Sequence, residues 1–483
     1  MSRRIVGPFN RVEGDLEVRL EIEGDRVREA FVTSPLYRGF ESMLADKDPG
    51  DALVLTPRIC GICSVAQSYA AATALAEAQG ISPPPNGALL RNIVLAAENV
   101  ADHLTHFYLF FMPDFARAVY AAEPWHADIL ARFHALEGRS VREWINARSA
   151  FMHLMGELAG HWPHTLGLQP GGMTHAIDNA GRVRVLAVLA TLRAHLEARV
   201  FGESLEAVAA IPSLEALLAW AERPGVGESD LAAFVRLIPI LGLDRLGRGS
   251  SRFMSYGAYS LGGGHLFARG VFADGKRERL DPSEIAEDTT SAWYAGAKAR
   301  HPRQGATVPD ADRAGAYTWC KAPRLAGAVV EVGALARQVV DGLPLARSLL
   351  GADGKGSVAA RVVARMVELA RTVPAMERWI REIVVGEPFF NRSSTADTAE
   401  GVGQIEAARG SLGHWVAIRG GRIASYQIIA PTTWNFSPRD ANGIPGPCEQ
   451  ALAGAPLRSG EESPVSVQHI VRSFDPCMVC TVH

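Results

Sequence analysis

The chain has 483 residues, 48% hydrophobic and 21% charged, with a formal net charge of −3. That length can bury a large core, with two to four domains as a soft prior, and the near-balanced charge without a Lys/Arg cluster argues against a nucleic-acid partner. No apolar run of roughly eighteen residues exists to span a membrane. The start, "MSRRIVGPFNRVEG", has no apolar stretch behind its arginines, does not read as an export signal, and makes the cytoplasm the expected location.

Residues 16–34, "LEVRLEIEGDRVREAFVTS", alternate apolar and polar side chains on both sides of "EGDR" and predict a β-hairpin. "SVAQSYAAATALAEAQG" predicts a helix over 64–80, closed by Gly80 as a C-cap. "NGALLRNIVLAAENVADHLTHFYLFFM" predicts a second helix from Asn86 as N-cap, apolar nearly all round and therefore buried. "VAARVVARMVELARTVPAMERWIREIV", residues 358–384, predicts a long helix kinked at Pro374. Residues 413–430, "GHWVAIRGGRIASYQIIA", alternate around "RGGR" as a second hairpin. Loops are expected at 301–312, 351–357 and 443–464. The fold class is mainly α with small β elements (α+β): a helical-bundle body with β-hairpins from both chain ends. One large catalytic domain is expected over 1–483. It has a β region at about 1–50, a helical core at about 51–400, and a C-terminal β and metal-binding region at about 401–483.

Six cysteines are present: Cys60, Cys63, Cys320, Cys448, Cys477 and Cys480. Cys320 and Cys448 are isolated and read as small buried apolar residues. The other four form two C-x-x-C pairs, "CGIC" and "CMVC", one near each end. Each pair can bring two thiolates to one metal, and two pairs make a four-thiolate site suited to zinc, iron or another soft-loving transition metal. A structural zinc clip is the bland reading, although zinc pairs usually lie much closer in sequence. A thioredoxin-like redox pair is disfavoured, since no βαβ pattern surrounds either motif.

"RICGIC" together with "DPCMVCTVH" resembles the two signature motifs of the nickel–iron hydrogenase large subunit. Other family stretches lie in order between them: "RVEG" (11–14), "RGFE" (38–41), "YTWCKAPRLAG" (317–327), "EAARGSLGHW" (406–415) and "PTTWNFSPRD" (431–440). The resemblance covers essentially the whole chain. It implies nickel held by all four thiolates, with Cys60 and Cys477 terminal. Cys63 and Cys480 would bridge to an iron carrying carbon monoxide and two cyanides. By the same resemblance Cys477 takes the proton of dihydrogen and passes it to Glu13. The resemblance further implies that Arg409 lies over the open metal face, positioned by Asp102 and Asp475. It implies that Thr432 and the backbone near Arg409, at Ala408, hydrogen-bond the cyanides. It also implies a magnesium ion held by Glu41, the carbonyl of Ile428 and the terminal His483. Without the motif, Glu13 would read as an exposed loop carboxylate and Arg409 as a surface ion pair.

The chain departs from the usual pattern in several places. Gln67 stands four residues after Cys63, where histidine is usual, and cannot change protonation. Ala408 replaces a common proline. Ile62 and Phe110 stand where valine and leucine commonly line the gas-channel mouth. The sequence ends on His483 without the tail that most relatives lose to a protease, so it is either a processed form or one encoded without a tail. These departures resemble the regulatory, hydrogen-sensing branch, which signals to a histidine kinase. An energy-conserving uptake hydrogenase is the alternative, and a structural zinc protein the remote one. Under either hydrogenase reading an iron–sulfur small subunit is required as partner, because this chain lacks cysteines for relay clusters. One heterodimer or a dimer of heterodimers would result.

Overall fold

The computed structural model describes residues 2–481 except 297, 395, 459, 460 and 462. The first sheet has three antiparallel strands, β1 (Ser2–Val6), β2 (Glu17–Glu23) and β3 (Arg26–Thr33). The expected hairpin is β2–β3, where Val18, Leu20, Val27, Ala30 and Val32 are buried on one face. Helix α1 (Ser64–Gln79) ends where Gly80 takes φ 62°, a left-handed cap that costs a glycine least.

Helix α2 (Pro85–Thr105) starts two residues earlier than expected, with Pro84 at the N-cap. Asn86 is not the cap. Its side-chain amide donates to the Val384 carbonyl at 2.7 Å and accepts from the Val384 N–H at 3.0 Å, tying α2 to a distant segment. Beyond Thr105 the helix widens into a π-helical turn, His106–Phe111, which carries Phe110. Helix α3 (Arg139–Ala159) packs against α2, and α4 (Asn179–His195) packs against α3.

A second three-stranded sheet lies in the middle of the chain: β4 (Phe253–Leu261), β5 (Gly264–Ala273) and β6 (Lys276–Glu278). The expectation of β elements only at the chain ends is corrected here. The first seven residues of β4 are all buried, so the strand lacks the alternation that announces a half-buried strand. Helix α5 (Ala334–Asp341) lies on this sheet and against α6 (Val358–Glu382), which runs through Pro374 without interruption.

The third sheet comprises β7 (Ala399–Ala407), β8 (Gly410–Arg419) and β9 (Arg422–Ile429), the last two being the expected hairpin. Strand β7 lies directly on α1. A Cβ at Gly401 or Gly403 would overlap the carbonyls of Ala74 and Ala70, so only a glycine strand can meet the alanine face of that helix. The 443–464 loop is corrected in part: it contains a short helix, α7 (Pro447–Leu452). The chain then forms α8 (Val465–Ser473) and turns back into the core. The architecture is α-rich with small antiparallel sheets, as the composition of the elements predicts.

Candidate metal centre

Cys60 and Cys63 precede α1, with Cys63 at its N-cap, and Cys477 and Cys480 follow α8. The two segments meet in the core. Cys60 Sγ is 3.4 Å from Cys477 Sγ, Cys63 Sγ is 3.3 Å from Cys480 Sγ, and Cys477 Sγ is 2.9 Å from Cys480 Sγ. All four sulfurs lie within 4.8 Å of one another and all four residues are buried. None forms a disulfide.

The electrostatics of the cluster state what it lacks. Hydrogen bonds from Cys477, Cys480 and Cys63 hold the Cys60 thiol well below its ordinary value. The same contacts, with burial, hold Cys63 well above it, and burial foremost raises Cys477 and Cys480. Four sulfurs this close repel one another when ionised. Further deprotonation in so small a volume needs cations, and soft metal ions bound by sulfur supply them. The donor set fits a thiolate-ligated transition metal centre.

The N-terminal loop forms one wall. Glu13 pairs as an isolated parallel bridge with Cys477, and the Met478 N–H donates to the Glu13 carbonyl at 2.7 Å. The Glu13 carboxyl is raised above the usual range by burial and then by the Cys60 charge, against Arg409 and Arg38. Arg38 itself donates to the carbonyls of Ile59 and Arg58, fixing the approach to Cys60.

Arg409 also faces the cluster. Its Nη1 donates to Asp102 Oδ2 at 2.7 Å, its Nη2 to Asp475 Oδ1 at 3.0 Å, and its Nε to the Asp475 carbonyl at 2.9 Å. The guanidinium is buried and near enough for its charge to act on Cys60, Cys63 and Cys477. Burial pushes Asp102 up to about 7 despite Arg409. Burial also opposes ionisation of Asp475, but Arg409, His106 and Arg365 outweigh it and hold that carboxyl low. Thr432 Oγ1 accepts from the Cys477 N–H at 3.1 Å. The carbonyl of Ala408 accepts from Arg337.

The sequence profile described as "Nickel-dependent hydrogenase" matches residues 38–132 and 118–483. The chain belongs to the nickel-dependent hydrogenase family. It is 30% identical to the periplasmic [NiFeSe] hydrogenase large subunit of Desulfomicrobium baculatum, over 99% of this chain and 94% of the relative. It is 28% identical to the uptake hydrogenase large subunit of Bradyrhizobium diazoefficiens, over 100% of this chain and 95% of the relative. The solved Ni-Fe-Se hydrogenase of D. vulgaris Hildenborough in its reduced state superposes with a TM-score of 0.86 at 30% identity, covering 100% of each chain.

The hydrogenase chain brings Glu41 and Ile428 together. The Ile428 N–H donates to Glu41 Oε1 at 2.8 Å. His483 lies outside the described residues. Beside Glu41 stand Lys321, which the 317–327 motif contains, and Glu287, which no motif contains. Lys321 Nζ is 3.0 Å from Glu41 Oε2 and 3.7 Å from Glu287. Two buried carboxylates thus share one ammonium, and Glu287 Oε1 has no hydrogen-bond partner among the described residues. Burial lifts Glu287 to about 7.

Gln67 is fully buried on the first turn of α1, and its Oε1 is 2.8 Å from His414 Nε2. His414 Nδ1 is 2.8 Å from the Tyr426 hydroxyl. Ile62 and Phe110 are each half-buried. Glu98 was not singled out in the sequence. It accepts from the Val65 and Ala66 N–H groups at 2.8 and 2.9 Å and from Trp162 Nε1 at 2.9 Å. It therefore satisfies the otherwise orphan donors at the start of the helix that follows Cys63. No helix among the described residues is long and apolar enough to cross a membrane.

Proposed function

We propose that this chain is the dihydrogen-cleaving large subunit of a nickel–iron hydrogenase. The observation that carries the reading is the closed set of four sulfurs within 4.8 Å, faced by a buried arginine held between two aspartates. Cys60, Cys63, Cys477 and Cys480 would hold nickel, and Cys63 and Cys480 would also serve an iron bearing carbon monoxide and two cyanides. Such a centre, when bound, polarises dihydrogen and takes up its two electrons, so that two protons leave for each molecule consumed.

The chain's own residues do the rest. Asp102 and Asp475 orient the Arg409 guanidinium, a fixed cation in a water-poor wall. Cys477 accepts the first proton and Glu13 carries it away, a task suited to a carboxyl raised by burial. Thr432 and the backbone at Ala408 and Arg409 serve the cyanides. Glu41 and the carbonyl of Ile428, with His483, would hold magnesium, a reading supported by the 2.8 Å approach of the Ile428 N–H to Glu41 Oε1. Electrons leave through iron–sulfur clusters in a small subunit, in keeping with relatives named as large subunits. The whole chain acts as one catalytic unit.

The finer reading is a cytoplasmic hydrogen sensor of low turnover that signals to a histidine kinase. Gln67 supports it: an amide locked to His414 replaces a group that could titrate. Ile62 and Phe110 support it as bulkier residues at the gas entrance. An uptake role is the second reading, favoured by the name of the Bradyrhizobium relative.

Infrared spectra with and without dihydrogen, combined with metal analysis, test the assignment. Nickel and iron with carbon monoxide and cyanide bands that respond to dihydrogen are expected. Zinc without those bands would overturn it. Dihydrogen oxidation per nickel, compared with kinase phosphorylation under dihydrogen, separates sensor from uptake enzyme.

A further inference from the structure

Behind Arg409 lies a second buried arginine that the proposed mechanism does not use. Arg337, on α5, is fully buried. Its Nη1 donates to the Ala407 carbonyl and to Glu406 Oε2, both at 2.8 Å, and its Nη2 to the Ala408 carbonyl at 3.1 Å. Glu368, on α6, grips the same guanidinium through Nη2 at 2.8 Å and Nε at 3.2 Å. Glu368 Oε1 also lies 3.1 Å from His103 Nε2. An ionised carboxylate only accepts, so Nε2 of His103 carries the proton and donates.

His103 is the neighbour of Asp102, which holds the Arg409 guanidinium. The contacts therefore close a ring: Asp102, Arg409, the carbonyls just before it, Arg337, Glu368, His103 and back to Asp102. The start of α5 adds a steric clamp. A Cβ at Gly410 would meet the Gly333 nitrogen at 2.6 Å, and Gly410 sits at φ 129°, so the turn carrying Arg409 lies backbone to backbone against that helix. Helix α6 serves the other side too. Arg365, one turn before Glu368, donates to the Ser473 carbonyl at 2.8 Å and the Phe474 carbonyl at 2.9 Å, just ahead of Asp475 and Cys477.

We propose that Arg337, gripped by Glu368, is a positioning residue for Arg409, fixing the backbone turn from which that guanidinium reaches the thiolate cluster. The inference rests on the role proposed above for Arg409. The geometry argues for more than a stabilising ion pair. Arg337 spends two of its donors on consecutive carbonyls of one turn, and a planar five-donor fork is the side chain that can hold two carbonyls and two carboxylates at once. Lysine, a point charge with three donors, cannot reproduce that grip. Displacement of a catalytic group by about an ångström can cost on the order of a hundredfold in rate.

The test compares the parent heterodimer with Arg337→Lys and, as the milder change, Glu368→Gln. Nickel per chain, thermal midpoint, positions of the carbon monoxide and cyanide bands, and hydrogen/deuterium exchange per bound nickel are measured, with KM for dihydrogen. Expected are near-parental nickel and KM, shifted bands, and exchange per nickel lowered about tenfold or more. Parental bands and parental exchange per nickel, whatever the thermal midpoint, would reduce the ring to fold stability and overturn the proposal. Failure of both variants to mature would overturn it likewise. A nickel-loaded parent without exchange sinks the hydrogenase reading itself, a result distinct from either.

Discussion

Cys60 Sγ and Cys477 Sγ lie 3.4 Å apart although 417 residues separate them in the chain. The N-terminal loop at Glu13 and the C-terminal loop at Cys477 are bridged at the same place. The N-terminal and C-terminal segments are thus joined at the cluster, and metal bound there cross-links positions 417 apart in the chain.

Loss of one bridging thiolate should prevent assembly. Cys63→Ala or Cys480→Ala leaves three sulfurs for two metals, so purified protein should lack nickel and the carbon monoxide and cyanide bands. Bands of normal intensity would refute the ligand assignment.

Glu13→Gln keeps the shape of the side chain and removes its capacity to carry a proton. Nickel content should stay parental while hydrogen/deuterium exchange falls roughly a hundredfold or more. Full exchange at full loading would take Glu13 out of the mechanism.

Glu98→Ala should weaken the helix that follows Cys63. It strips the acceptor from the Val65 and Ala66 N–H groups and from Trp162 Nε1, each costing about 1–3 kcal/mol when left buried and unpaired. A thermal midpoint several degrees lower, with reduced nickel loading, is expected. Unchanged values for both would show that water replaces the carboxylate without cost.

Acid stability should depend on Glu368. Burial opposes its ionisation, but Arg337 and His103 prevail and hold it at about 2, against 4.5 for a free glutamate. A depressed carboxyl stabilises the fold above its unfolded pKa and loses that contribution as pH falls through the folded one. The parent's advantage over Glu368→Gln, on the order of 3 kcal/mol at neutral pH, should fade between about pH 4.5 and 2. Urea midpoints of the two proteins across that range give the measurement. A gap independent of pH would deny Glu368 its charge.

Gas access is the fifth test. Ile62 sits between the first two cysteines and Phe110 on the π-helical turn beyond Asp102's helix. Ile62→Val with Phe110→Leu should widen a narrow passage at a stability cost of about 1–3 kcal/mol. Dihydrogen oxidation by the double variant should then fail faster under oxygen than that of the parent. Equal decay returns both residues to ordinary packing.

Short-range pattern in the chain identifies the four clustered sulfurs and several local elements. Two C-x-x-C pairs name a thiolate site whatever the fold. The hairpin of residues 16–34 and the helix ending at Gly80 follow from side-chain alternation and from a glycine's freedom at positive φ, both properties of neighbours in the chain. What the sequence could not determine is everything that depends on partners far away. Asn86 looks like a helix cap because asparagine often is one, yet its amide is committed to Val384, 298 residues on. Strand β4 gives no alternating pattern because both of its faces are covered. Arg337, Glu368 and Glu98 read as ordinary charges on helices. Burial makes each an obligation, since a charge or donor removed from water must find a partner, and only the tertiary structure decides which backbone turn receives it.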